Sequence, residues 1–197
     1  MQDVVQELTM TQDKAFTLTI DKGNNLDQNL VKNAADMLRL QELLHGTDII
    51  VISDEVYEHM VFAGQPHASA SRYPALAARS IVVSSFGKTF HVTGWKVGHV
   101  SAPAALMAEF RKIHQYNVFT VNTPMQHGLA RYLQDPAPYL QLPAFYQRKR
   151  DLFAAGLQQT RLRLLPCQGT YFQCVSYADI ALPERDLGEA AFCEWLT

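Results

Sequence analysis

The stretch IIVISDEVYEH, residues 49–59, places a short apolar run of strand type directly before an acidic turn, and IVVSSFGKTFHVTGWKVG, residues 81–98, repeats that arrangement. Short apolar runs bounded by turn signals suit strands of a buried sheet, here over 49–53 and 81–84. Upstream, Met37, Leu40, Leu43 and Leu44 recur at helical spacing and His45-Gly46 closes the segment, which predicts a helix leading into the first strand. Between the strands lie a loop with Gly64 and Pro66 and a short helical segment over 74–78. Alternation of helix and strand predicts an α/β fold with a mainly parallel sheet flanked by helices. Such a sheet delivers the residues that follow both strands to one carboxyl edge, where α/β folds bind ligands.

The flanks are less informative. Residues 1–33 are polar, carry Gly23-Asn24-Asn25 and one candidate strand over 16–20, and form an unassigned N-terminal segment. After Gly98 the residues HVSAP predict a further short strand. Pro103 then begins a helix with Leu106, Met107, Phe110 and Ile113 on one face. Another helix runs from Thr123-Pro124 through Leu133, and DPAP at 135–138 interrupts it. The expected organisation is part of a large domain over 34–138, a linking helix over 139–160, and the start of a smaller α/β domain over 161–197. That last part opens with a hairpin of 162–165 and 171–177 around a turn at 166–169.

Composition narrows the function classes. With 197 residues, 48% hydrophobic and 18% charged, the chain can bury a substantial core. A net charge of −2 gives no electrostatic case for nucleic acid. No apolar run approaches the ~20 residues that span a bilayer, and MQDVVQELTMTQDK lacks the pattern of a secretory leader. The expectation is a cytoplasmic protein without membrane or nucleic-acid partners. Cys167, Cys174 and Cys193 lack CxxC spacing and read as structural thiols. His59, His67, His91, His99 and His114 fall at no metal-ligand spacing, so no metal is expected. Gly87-Lys88-Thr89 is not a phosphate loop of the NTPase type, because the position that would need glycine is Val82.

Five residues carry a specific chemistry together. Taken singly, Lys88 and Lys96 would be surface lysines and Tyr57 a core tyrosine; their spacing with Asp54 and Ser85 raises another reading. A pyridine ring bearing an aldehyde, a phenol oxygen and a phosphate needs a carboxylate, a phenol, an amine, a hydroxyl and a second cation, which is the protein half of a pyridoxal phosphate site. Asp54, at a strand end, would keep the ring nitrogen protonated, which deepens the ring's capacity to accept electrons. Tyr57 would donate to the ring oxygen. Lys88 would join the aldehyde as a Schiff base and, once released, carry the substrate's proton. Ser85 and Lys96 would hold the phosphate, the second as a point charge.

Residues 35–197 resemble the fold-type I pyridoxal-phosphate-dependent aminotransferases, in the branch of methionine and kynurenine aminotransferases. The resemblance rests on SDEVYEHMVF, SSFGKTFHVTGWKVGH, RKIHQYNVFTVNTPMQ and LPCQGTYF. It implies transfer of an amino group from methionine or an aromatic amino acid to a 2-oxo acid, a homodimer, and the roles already given to Asp54, Tyr57, Ser85, Lys88 and Lys96. Asn122, Thr123 and Pro124 would approach a neighbouring subunit's site. Residues 1–34 match neither the family's glycine-containing loop, nor its stacking aromatic, nor its Asn-Pro turn. No arginine near Thr197 matches the one that grips substrate carboxylate. The chain therefore reads as truncated at both ends, and the alternative is an inactive remnant that folds or dimerises without turnover. His91 lines the pocket or serves structure, and Tyr171 and Phe172 pack in the core or face substrate; the sequence leaves both pairs open.

Overall fold

The computed structural model describes residues 5–10, 16–20, 33–62, 64–180 and 189–197. The Gly23-Asn24-Asn25 signal and residues 181–188 of the expected smaller domain lie outside the described residues. The candidate strand over 16–20 is present as β2 (Phe16–Ile20), paired antiparallel with β1 (Val5–Met10).

Helix α1 (Ala34–Leu43) starts at a capping box: the Asn33 side chain accepts from the Asp36 N–H, and the Asp36 carboxylate accepts from the Asn33 N–H. Met37 and Leu44 are buried and Leu40 packs beside them, as the helical spacing predicts, while Leu43 is exposed. The chain leaves this segment through Gly46 at φ 73°, a left-handed turn that glycine adopts without strain. Strands β3 (Val51–Asp54) and β4 (Ser80–Ser85) are parallel, with Val51 opposite Ser80 and Asp54 opposite Val83. Their connection contains a 3₁₀ turn (Ala70–Arg72) and α2 (Pro74–Ala77), with Pro74 in the first turn. Met37, Leu44, Ala68, Ala70 and Leu76 form the core on one face, against Ile49, Val51 and Val82. Arg79 staples this layer, donating to the carbonyls of Leu44 and Ile49 and to the Thr47 hydroxyl at 3.1–3.2 Å.

Two sheet features differ from expectation. Strand β5 (Gly98–Ser101) lies antiparallel to β4, giving the order β3-β4-β5. The intervening residues hold only the one-turn α3 (Phe86–Thr89) and a 3₁₀ turn (Thr93–Trp95), too short a crossover for a parallel return. Strand β3 is also half-buried, and on one face only. Val51 and Ser53 point inward, while Ile50 and Ile52 remain 49% and 73% exposed.

Beyond the sheet, α4 (Ala104–Asn117) follows Pro103, which sits at its N-cap. Leu106, Met107 and Phe110 are half-buried along it and Ile113 is exposed. Helix α5 (Thr123–Tyr132) is capped by Asn122, whose side chain accepts from the Met125 N–H. The helical stretch expected over 139–160 occurs as α6 (Ala137–Leu140) and α7 (Leu142–Leu157), with Pro143 in the first turn of the latter. The predicted hairpin is β6 (Arg163–Leu164) against β7 (Val175–Ser176), and α8 (Glu189–Leu196) ends the described chain.

Candidate active site

The five predicted residues follow from the sheet register. Side chains alternate along a strand, and paired residues of a parallel ladder share a face. Asp54 ends β3 opposite Val83 of β4, so Ser85, two residues beyond Val83, lies on the same face at the same carboxyl edge. Ser85 pairs with Gly98 across β5, and this pairing returns the loop carrying Lys96 to the Ser85 end. Strands β3 and β4 thus end in Asp54 and Ser85, and Lys96 lies just before the start of β5.

Local geometry then orients them. Asp54 is exposed, and its Oδ1 accepts from the Val56 N–H at 3.2 Å, turning the chain immediately after the strand. Ser85 caps α3: its Oγ accepts from the Gly87 N–H at 3.2 Å. Lys88 projects from that single turn. Lys96 sits at φ 55° after the 3₁₀ turn, and its side chain is exposed. Two glycines permit the close packing beneath this edge. A Cβ on Gly98 would lie 2.6 Å from the Ser84 carbonyl oxygen, and one on Gly87 would lie 2.9 Å from Thr93 Cα.

The side chain left open by sequence completes the cluster. Tyr171 Oη lies 3.1 Å from Lys88 Nζ, which donates to it, and 3.3 Å from Tyr57 Oη, which also donates. The rings of Tyr57 and Tyr171 meet edge to face with centroids 5.2 Å apart. Tyr171 arrives because residues 168–170 pair with 60–62: the Phe62 N–H donates to Gln168 O and the Thr170 N–H to Met60 O, each at 2.7 Å. The only sequence trace of this role is its place in LPCQGTYF. His91, three residues after Lys88, meets the Tyr146 hydroxyl at 3.3 Å through Nε2.

Electrostatics separates the two phenols. Burial pushes the Tyr57 phenol well above the ordinary tyrosine range, and its hydrogen bond to Tyr171 and the nearby Asp54 carboxylate act in the same direction. Tyr171 is lowered, first by the hydrogen bond from Tyr57, against burial, and then by Lys88. Tyr57 therefore holds its proton as a donor, the form in which it can serve a ring oxygen.

The structure brings Lys88 and Tyr57 each into contact with Tyr171, sets Ser85 and Asp54 at the same edge, and leaves the Lys96 ammonium outside this hydrogen-bonded group. Among the described residues Lys88 pairs with no carboxylate, which leaves its amine available. A carboxylate, a proton-holding phenol, an amine, a capping hydroxyl and an exposed ammonium form the donor set that pyridoxal phosphate requires, so the residues present fit that group. No cluster that could hold a metal ion occurs among the described residues, and none of their helices is long and apolar enough to cross a membrane. A cavity of about 290 Å³ lined by Asn33, His67, Arg72 and Gln168, among others, includes none of the five residues.

Comparison with known proteins agrees with this chemistry. Residues 31–187 match the family described as aminotransferase class I and II, and the chain belongs to that family, whose members depend on pyridoxal phosphate. The chain is 51% identical over 164 residues to a methionine aminotransferase of Escherichia coli, covering 83% of this chain and 42% of that protein. It is 41% identical over 131 residues to a kynurenine–oxoglutarate transaminase of Dictyostelium discoideum, covering 65% and 30% respectively. A solved structure of an Escherichia coli methionine aminotransferase superposes with a TM-score of 0.80 at 50% identity, over 84% of this chain and 43% of that one. The fold is that of the fold-type I enzymes. The chain spans less than half the length of these relatives.

Proposed function

We propose that this class I and II aminotransferase chain binds pyridoxal phosphate and moves an amino group from methionine or an aromatic, kynurenine-type amino acid to a 2-oxo acid. The observation that carries the reading is that the Lys88 amine and the Tyr57 hydroxyl meet on one oxygen, that of Tyr171, at the sheet edge that also bears Asp54 and Ser85. The choice of amino acid is supported by the similarity to methionine and kynurenine aminotransferases.

When bound, the cofactor supplies an electron sink for the substrate α-carbon and a carbon that exchanges amino groups. Asp54 would face the ring nitrogen with negative charge and favour its protonated form. Tyr57 would donate a hydrogen bond to the ring oxygen. Ser85 Oγ and the Lys96 ammonium would hold the phosphate. Lys88 would anchor the cofactor through its amine and, when free, would take and return the substrate's α-proton.

In the same reading, residues 34–138 belong to the cofactor-binding domain, 139–160 link it to a second domain, and 161–197 begin that domain. The protein acts as a cytoplasmic homodimer. Exposed Ile113, Tyr116 and Phe119 at the end of α4 and just beyond support a self-association surface.

The test is retention of cofactor. Chain loaded with pyridoxal phosphate, desalted and reduced with borohydride should carry the adduct on Lys88, and Lys88→Ala should carry none. Folded protein that retains no cofactor would overturn the reading in favour of a non-catalytic family member.

A further inference from the structure

We propose that the Tyr171 hydroxyl is a positioning group for the Lys88 amine, so that the segment around residue 170 governs how fast the lysine captures an aldehyde; the inference rests on the function proposed above. A lysine amine on its four-carbon stem samples many rotamers, and freezing them costs about 2 kcal/mol. Among the described residues the hydrogen-bond partner that holds Lys88 Nζ is Tyr171, at 3.1 Å.

Tyr171 is itself firmly placed. Thr170, the residue before it, is 2% exposed and adopts φ 67°, a left-handed conformation that is strained for a β-branched side chain. Such strain, on the order of 1–3 kcal/mol, persists only where the surroundings over-determine it. Here the Thr170 N–H donates to Met60 O at 2.7 Å, and its Oγ1 accepts from the Phe172 N–H at 3.1 Å. Met60 and Phe62, at most 1% exposed, anchor the opposite side. The strained residue turns the chain so that Tyr171 faces Lys88 and Tyr57 instead of packing inward. Its oxygen accepts from both donors and ties the group assigned to the ring oxygen to the group assigned to the aldehyde.

Capture joins Lys88 Nζ to the aldehyde carbon with loss of water, so it depends on where the amine is held. Tyr171→Phe keeps the ring contacts with Tyr57, Phe172 and Tyr146 and removes only the oxygen. Two probes separate positioning from shape: pyridoxal phosphate, and pyridoxine phosphate, whose alcohol cannot join the lysine. In the full chain, Tyr171→Phe should slow borohydride-trapped capture at Lys88 about five- to tenfold, the worth of one ordinary hydrogen bond, and leave the affinity for pyridoxine phosphate unchanged. An unchanged capture rate would overturn the inference alone. Equal losses with both probes would also overturn it, because Tyr171 would then only shape the site. If the unsubstituted chain bound neither probe, the function proposed above would fail and this inference with it.

Discussion

Glu55 and His67 are joined by a 2.8 Å hydrogen bond, the imidazole Nε2 donating to a carboxylate that is only 5% exposed. The other oxygen of Glu55 accepts from the Ser53 hydroxyl at 2.8 Å and from the Ala70 N–H at 2.9 Å. One buried side chain therefore closes the loop between β3 and the 3₁₀ turn, with Tyr57 inside the closed segment and Asp54 immediately before it. A buried carboxylate without partners would be expensive; hydrogen-bonded on both oxygens it becomes a clamp.

The clamp makes stability depend on pH. Burial opposes the Glu55 charge, yet hydrogen bonds from His67, the Ala70 N–H, Ser69 and Ser53 hold its carboxyl at about 2. A depressed carboxyl contributes stability that is fully present above its ordinary value of 4.5 and is lost as pH falls through about 2. The contribution is on the order of 2–3 kcal/mol. Denaturant unfolding should show this loss below about pH 5, and Glu55→Gln should flatten it. An unaltered pH profile in the variant would contradict the account.

Gly98 and Gly94 should respond oppositely to alanine. A Cβ at Gly98 meets the Ser84 carbonyl oxygen at 2.6 Å, whereas one at Gly94 meets nothing within 4 Å. Gly98→Ala must push β5 from β4 beside Ser85, at a cost of about 1–3 kcal/mol, and should weaken cofactor retention as well. Gly94→Ala should leave the unfolding midpoint nearly unchanged. Equal midpoints for the two variants would contradict the close approach.

Asp54→Asn separates binding from chemistry. The amide preserves the shape of the strand end and can still accept from the Val56 N–H, so folding and cofactor retention should persist. A facing carboxylate favours the protonated ring nitrogen by about 1–3 pKa units, so amino-transfer turnover should fall roughly ten- to a thousand-fold. Turnover assays beside cofactor-loading spectra decide it, and undiminished turnover would remove Asp54 from its assigned place.

Arg79 should matter for stability and not for chemistry. Its guanidinium donates to Leu44 O, Thr47 Oγ1 and Ile49 O, satisfying backbone carbonyls where α1 turns into β3. Arg79→Met would remove all three bonds, Leu44 O keeping those from the Thr47 N–H and hydroxyl, at a cost of about 1–3 kcal/mol. The loss should appear in the denaturant midpoint, with the borohydride adduct still formed at Lys88.

Much of the site was legible because its residues lie close along the chain. Asp54 and Tyr57 follow one strand, and Ser85 and Lys88 follow the next. Helix α1 was equally readable from Met37, Leu40 and Leu44, although Leu43 proved exposed. The antiparallel β5 was not, since HVSAP carries no mark of strand direction. Nor was the partnership of Glu55 with His67, which has no periodicity behind it.

The α/β class, the family and five candidate residues suited to pyridoxal phosphate could be read along the chain, because apolar periodicity, motif and short-range spacing are written there. Folding was needed to show that Tyr171 meets Lys88 across 83 residues, that β5 reverses, and that Ile50 and Ile52 face outward. Such contacts arise from the pairing of backbone segments such as 60–62 with 168–170. The backbone groups that make this pairing are common to every residue type except proline, which lacks the N–H, so they leave little imprint on the pattern of side chains.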